Sequence, residues 1–202
     1  MTLLEMLITL SILSVVMAIF IPMLSSVQNA FQRQSDRSAN NDQARLAVEE
    51  IDREIRSGNV LYDPALENDP TNSIYPGMSL RVYTQTNAST RTPGNQCVQW
   101  RVMSGVLQKR SWSITWQVDG IVSAWRSIAD HIVNQPTPPT PPTTPLFRID
   151  PDPAKGGRTI IVTLQENQNP VSGRTVVIQE AVTGRNTEYG YPNNVCSTIP
   201  PY

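Results

Sequence analysis

No lysine or arginine precedes Arg33, and lysine is scarce throughout, present only as Lys109 and Lys155. A cleavable secretory signal needs a basic n-region and a small-residue cleavage site, so the apolar N-terminus does not read as one. There is no long basic stretch, and the formal net charge is −1, so nucleic acid is not an expected partner. Cysteine occurs twice, as Cys97 and Cys196, outside any CxxC or Cys/His cluster, which argues against zinc. Histidine occurs once, as His131, with no spacing that suggests a site. A glycine-rich phosphate loop and a nucleophile elbow are also missing, so neither an enzyme nor a cofactor is expected.

What is present begins with one apolar run, MTLLEMLITLSILSVVMAIFIPML. From Leu3 to Leu24 its only ionisable residue is Glu5. The run is long enough to span a bilayer as a helix. An ionised carboxylate in hydrocarbon costs a few kcal/mol or more, which makes Glu5 a functional residue in need of a cationic partner. The nearest candidate is an α-amine, on this chain or on a neighbour. A plain signal anchor explains the length but neither Glu5 nor the missing positive flank. Beyond a membrane segment, an even cysteine count predicts one disulfide, Cys97–Cys196, with two unpaired thiols as the alternative.

The run resembles the mature N-terminus of type IV pilins and type II secretion pseudopilins. Thr2, Leu3, Leu4, Glu5, Met6 and Leu7 match the family's T-L-[IL]-E-[LM]-[LI] pattern, and Pro22 falls where the family commonly has a helix-bending proline. Met1 stands where the family usually has Phe. The resemblance implies that a prepilin peptidase removes a short leader and that Met1 is N-methylated. It implies too that Glu5 pairs with the Met1 α-amine of a neighbouring subunit, two charges becoming one neutral pair. Pro22, lacking an amide donor, is expected to bend or loosen the helix.

Past Leu24 the helical character continues. Val27, Ala30 and Phe31 extend an apolar stripe, and Ala44, Ala47, Val48, Ile51 and Ile55 recur at helical spacing. The expected organisation is a transmembrane assembly helix over 1–24, an amphipathic continuation over 25–57, and a head over 58–202. Glu49/Arg53 and Asp52/Arg56 are spaced as i,i+4 pairs on what reads as a solvated face, with Gly58 as C-cap. In the head, 79–84, 97–103, 106–112, 159–165 and 175–182 read as strands, Ser104-Gly105 as a turn, and 114–118 as a strand or its extension. Residues 124–133 read as a short helix. Asn169, Pro170 and Gly173 mark the turn of a hairpin, and the tract 134–145 (NQPTPPTPPTTP) an extended surface loop. The fold class is α+β, one long helix packed on an antiparallel sheet. Trp100, Trp112, Trp116 and Trp125 are read as core, and the acids Asp63, Glu67, Asp69, Asp150 and Asp152 as turn residues rather than a calcium site.

Residues 97–112 resemble a hairpin of the J-type minor pseudopilins and the related W-type minor pilins, matching at Val98, Trp100, Arg101, Val102, Gly105, Leu107 and Arg110. Residues 44–58 resemble the end of their long helix, and the segment closing with Arg185 and Asn186 their last strand. The resemblance implies a minor subunit in a tip complex that primes or caps a pilus or secretion pseudopilus. Its partners would be other minor and major pilins, the prepilin peptidase and an inner-membrane assembly platform. It would sit in the cytoplasmic membrane, head outside, until it joins a filament at the cell surface. A tip adhesin or a DNA-uptake subunit on the same scaffold is the alternative.

Overall fold

The structure is a computed structural model that describes residues 2–72, 74–85, 95–134, 144–167, 175–184 and 194–201. Met1, the turn residues Asn169, Pro170 and Gly173, most of the proline/threonine tract, and Arg185 and Asn186 lie outside the described residues. The chain divides into two compact units, Met1–Ala39 and Asn40–Tyr202. The helix α1, Leu3–Ser57, supplies all the regular structure of the first and the opening element of the second.

In the first unit α1 is exposed from its start through Ser35. It is long and apolar enough to cross a membrane by length and composition. The helix runs unbroken through Pro22. Because proline has no amide proton, the carbonyl of Ala18 loses its helical donor there. Thr9, Ser11 and Ser14 return their hydroxyls to the carbonyls of Met6, Ile8 and Ser11 at 3.0, 2.7 and 2.8 Å, so these groups are satisfied without water.

The second unit is α+β. Strands β1 (Gly58–Leu61), β2 (Ser79–Gln85), β3 (Asn95–Met103), β4 (Val106–Ser113) and β5 (Arg126–Ala129) form an antiparallel sheet in chain order. A short helix α2 (Trp116–Asp119) lies between β4 and β5. Strands β6 (Phe147–Ile149), β7 (Thr159–Glu166) and β8 (Val176–Thr183) form a second antiparallel sheet, also in chain order. The larger core cluster joins α1 to both sheets. Ala44, Ala47, Val48, Ile51 and Ile55 from α1 meet Leu80, Val82, Val98, Trp100, Val102 and Leu107 from the first sheet, and Phe147, Ile160, Val162, Leu164 and Val182 from the second. The helical stripe therefore has the partner that its spacing requires.

Ser104 and Gly105 have φ of 52° and 73°, the paired left-handed residues of a type I′ hairpin turn. That geometry sets the β3–β4 register, Cys97↔Trp112 through Met103↔Val106.

Several sequence expectations are corrected. Gly58 does not cap α1: the chain passes straight into β1, whose pairing with β2 was not anticipated. A Cβ on Gly58 would lie 2.6 Å from Val82 Cγ1, so the glycine allows strand and helix end to meet. Residues 116–119 form a helical turn rather than a strand, ended by Gly120 at φ 67°. Residues 124–133 are not a helix. They contain β5, then His131 at φ 56°, then a bridge between Ile132 and Glu166. Asp52 and Arg56 pair at 2.7 Å as spaced, whereas Glu49 and Arg53 form no ion pair. Nor is this side of α1 merely solvated: Glu50 and Glu54 hold Lys109 of β4 at 3.0 and 2.6 Å, and Glu50 also receives Arg126 of β5.

Ile51 is fully buried at the centre of this cluster. Ile51→Ala should cost about 2–5 kcal/mol through lost burial and the cavity left behind. The urea midpoint of the head's unfolding should fall, with its slope unchanged.

Candidate assembly interface

In the first unit the first turn of α1 carries the chemistry. Thr2 stands as the N-cap, since the helix begins at Leu3. Its amide donates to Glu5 Oε2 at 2.8 Å, and Glu5 donates its own amide to Thr2 Oγ1 at 3.4 Å. This is a reciprocal capping box, with the carboxylate also at the positive end of the helix dipole. The Thr-x-x-Glu spacing is its signal in the sequence. The box satisfies one of the two carboxylate oxygens, and Oε1 accepts no hydrogen bond from a described residue. Met1, whose α-amine is the expected partner, lies outside the described residues. Pro22 lies mid-helix, far along the chain from this cluster.

In the second unit the first sheet has a second covered face. Strand period places Cys97, Gln99 and Arg101 of β3 opposite the core-facing Val98, Trp100 and Val102. Register aligns them with Tyr83, Arg81 and Ser79 of β2 and with Trp112, Arg110 and Gln108 of β4. Cys97 is joined to Cys196 by a disulfide, as the cysteine count predicted. Around it Tyr83, Trp112, Cys97 and Cys196 form a separate buried cluster, flanked by Val60, Tyr62, Trp116 and Val195.

From Cys196 onward the chain lies on this face as a strap read through its backbone carbonyls. Arg81 Nη1 donates to the carbonyls of Cys196 and Ser197 at 2.7 and 3.5 Å. Trp116 Nε1 donates to Thr198 at 3.3 Å, and Arg110 to Pro200 and Pro201, each at 3.3 Å. The amide of Cys196 donates in turn to Tyr62 Oη at 2.9 Å. The guanidinium groups stack on aromatics, Arg81 on Tyr62 at 4.2 Å, Arg101 on Trp125 at 4.0 Å and Arg110 on Trp125 at 4.5 Å. Trp100 and Trp112 are core, as expected. Trp116 and Trp125 are only partly buried and brace the strap and the arginines instead.

Two buried carboxyls differ in their answer to burial. Glu67 takes Arg81 at 2.6 Å. Burial pushes its carboxyl above the ordinary value, and Arg81 offsets only part of that rise. Glu166 is fully buried, and neither of its oxygens has a hydrogen-bond partner among the described residues. Burial, with a smaller contribution from Asp130, raises its carboxyl from 4.5 to about 7. The remaining acids cap turns. Asp63 accepts from Ala65 N and Asp152 from Ala154 N, Asp150 accepts from Asp152 N, and Asp69 holds the side chain of Asn72. His131 lies 3.7 Å from Asp130 on the turn after β5.

Replacing both cysteines by serine should cost about 4–5 kcal/mol in the chain-entropy account of a loop of this length, lowering the melting temperature measured without reductant. The Glu166 carboxyl is harder to ionise in the folded than in the unfolded chain. Its contribution to stability is therefore fully present below about 4.5 and is lost as pH rises through about 7. Glu166→Gln should flatten that loss, so that at pH 8 the variant melts higher than the parent; an unchanged difference between pH 5 and pH 8 would count against it. Compared with protein-family models and with curated proteins, the chain matches none.

Proposed function

We propose that this chain is a structural subunit of a membrane-initiated filament, a minor pilin or pseudopilin of a type IV pilus or a type II secretion pseudopilus. Its first α1 turn would key each subunit into register with its neighbour. The observation that carries this reading is Glu5, an acid in the first turn of a helix apolar enough to cross a bilayer, with one oxygen committed to Thr2 and the other without a hydrogen bond from any described residue. The α-amine of a neighbouring Met1 would complete the carboxylate's partners and cancel its charge. Support also comes from the continuation of the same helix into a stripe buried by an antiparallel head, and from a disulfide suited to an oxidising compartment. Other minor and major subunits, a leader peptidase and an assembly platform in the cytoplasmic membrane are the partners this role entails. The arginines Arg81 and Arg110, which an adhesive or DNA-binding tip would need free, are engaged with the strap and with Glu67. The tip-receptor reading therefore gains no support from them.

The test is incorporation into sheared surface filaments. Glu5→Ala and Glu5→Gln should both reduce recovery at least tenfold, while the chain still accumulates in the membrane with its disulfide formed. Recovery at the parental level in both variants would end the pairing mechanism.

A further inference from the structure

Residues 113–124 connect β4 to β5 and leave four aliphatic side chains in water. Ile114, Val118, Ile121 and Val122 are 41, 91, 45 and 37% exposed. Scattered apolar residues on a surface need no explanation, but these four fall within nine positions of one connection. The segment that bears them is tightly bonded. Ser113 N donates to the Ile121 carbonyl at 3.0 Å, and Ser123 N to that of Ser111 at 2.8 Å. Gly120, in the left-handed region at φ 67°, closes the α2 turn by donating to Trp116 at 2.8 Å. The Asp119 carboxylate is fixed by Thr115 Oγ1 at 2.7 Å and Ile121 N at 2.8 Å, and hydrogen bonding to Ser113 first, then to Ile121 and Thr115, holds it below the usual carboxylate range. At the base, Trp116 packs on the disulfide cluster and donates to the strap at Thr198. These side chains are thus presented on a preorganised loop, which lowers the ordering cost of binding.

Charge selects the partner. Asp119 is the only ionisable residue from Ser111 to Trp125. With no cation, the loop has no attraction for phosphate, whether in nucleic acid or in an anionic lipid headgroup. The complement of exposed aliphatic side chains beside one fixed carboxylate is an apolar cleft with a basic residue at its rim.

We propose that the 113–124 loop is a docking finger for a second, different protein. It would insert Val118 and Ile121 into an apolar cleft that presents a lysine or arginine to Asp119. This inference does not rest on the filament reading, because it uses no residue of the N-terminal unit.

The test places a benzophenone amino acid at Gln117 of the full chain in its native membrane, with a second probe at Gln179 on β8 as control. Illumination should join position 117, but not 179, to one apolar segment of another protein with a basic residue beside it, as mapped by peptide mass spectrometry. Adding Val118→Asp or, separately, Ile121→Asp should lower that yield about tenfold or more, as expected when a carboxylate replaces a buried aliphatic side chain. The melting temperature of both variants should stay at the parental value. A cross-link to phospholipid, a cross-link to a second copy of this chain, no cross-link, or a yield indifferent to both substitutions would overturn the proposal. If Ile121→Asp lowers the melting temperature, the more exposed Val118→Asp decides alone. A normal result here beside filament recovery unaffected by Glu5→Ala would separate the finger from the filament reading.

Discussion

The head depends on one constraint, the two-residue side-chain period of β3. Its even positions, Val98, Trp100 and Val102, must enter the core that α1 completes. Its odd positions, Cys97, Gln99 and Arg101, are thereby committed to the opposite face, and they too are buried. A polar face cannot be buried without partners. The strap, the disulfide and the Arg–aromatic stacks are the response to that requirement. Gln99 Oε1 accepts from Arg110 at 3.1 and 3.0 Å, and Arg110 reaches on to the strap's carbonyls. Without the strap these guanidinium groups would face water, and the Tyr83–Trp112 cluster would lose its cover.

Charge inside the second unit follows the same logic at the α1 side. Lys109 sits opposite Trp100 in register and lies over its ring at 5.6 Å, on a face otherwise apolar. It is tolerated because two carboxylates from successive turns of α1 close on it. Most exposed ion pairs contribute little, and the Asp52–Arg56 pair, with Arg56 largely exposed, belongs to that group. Glu50, Glu54 and Lys109 are mostly buried, so losing any one would leave uncompensated charge. Glu166 has no such partner among the described residues, and burial instead raises its carboxyl to about 7.

What the sequence made legible was what local period decides. The buried stripe of α1, the strands β2, β3, β4, β7 and β8, the Ser104-Gly105 turn and the disulfide all follow from spacing, residue type or count. The failures lie where pairing overrides spacing. Residues 124–133 carry apolar positions at helical intervals, yet β4 offers an unpaired edge and β5 takes it, with Leu107 facing Ala129. Gly58 looked like a helix stop because nothing local shows that β2 lies beside it. The strap was invisible for the same reason: its partners are a hundred or so positions away, and only the alternation of Arg81, Arg101 and Arg110 with apolar neighbours hinted that the second face was covered.

Glu5 is the residue whose meaning the geometry changed most. In the sequence it was a charge whose cost demanded a distant explanation. In the structure the same carboxylate closes the first turn of its own helix through Thr2, a role it would hold in any environment. The two roles are compatible because they use different oxygens, and they are ordered. The capping bond fixes the side chain over the helix start. A rotationally free glutamate would pay side-chain entropy to make that contact, and this one has already been ordered by its cap. The capping box therefore supplies an ordered carboxyl at the start of an exposed apolar helix, the feature that the proposed subunit pairing would use.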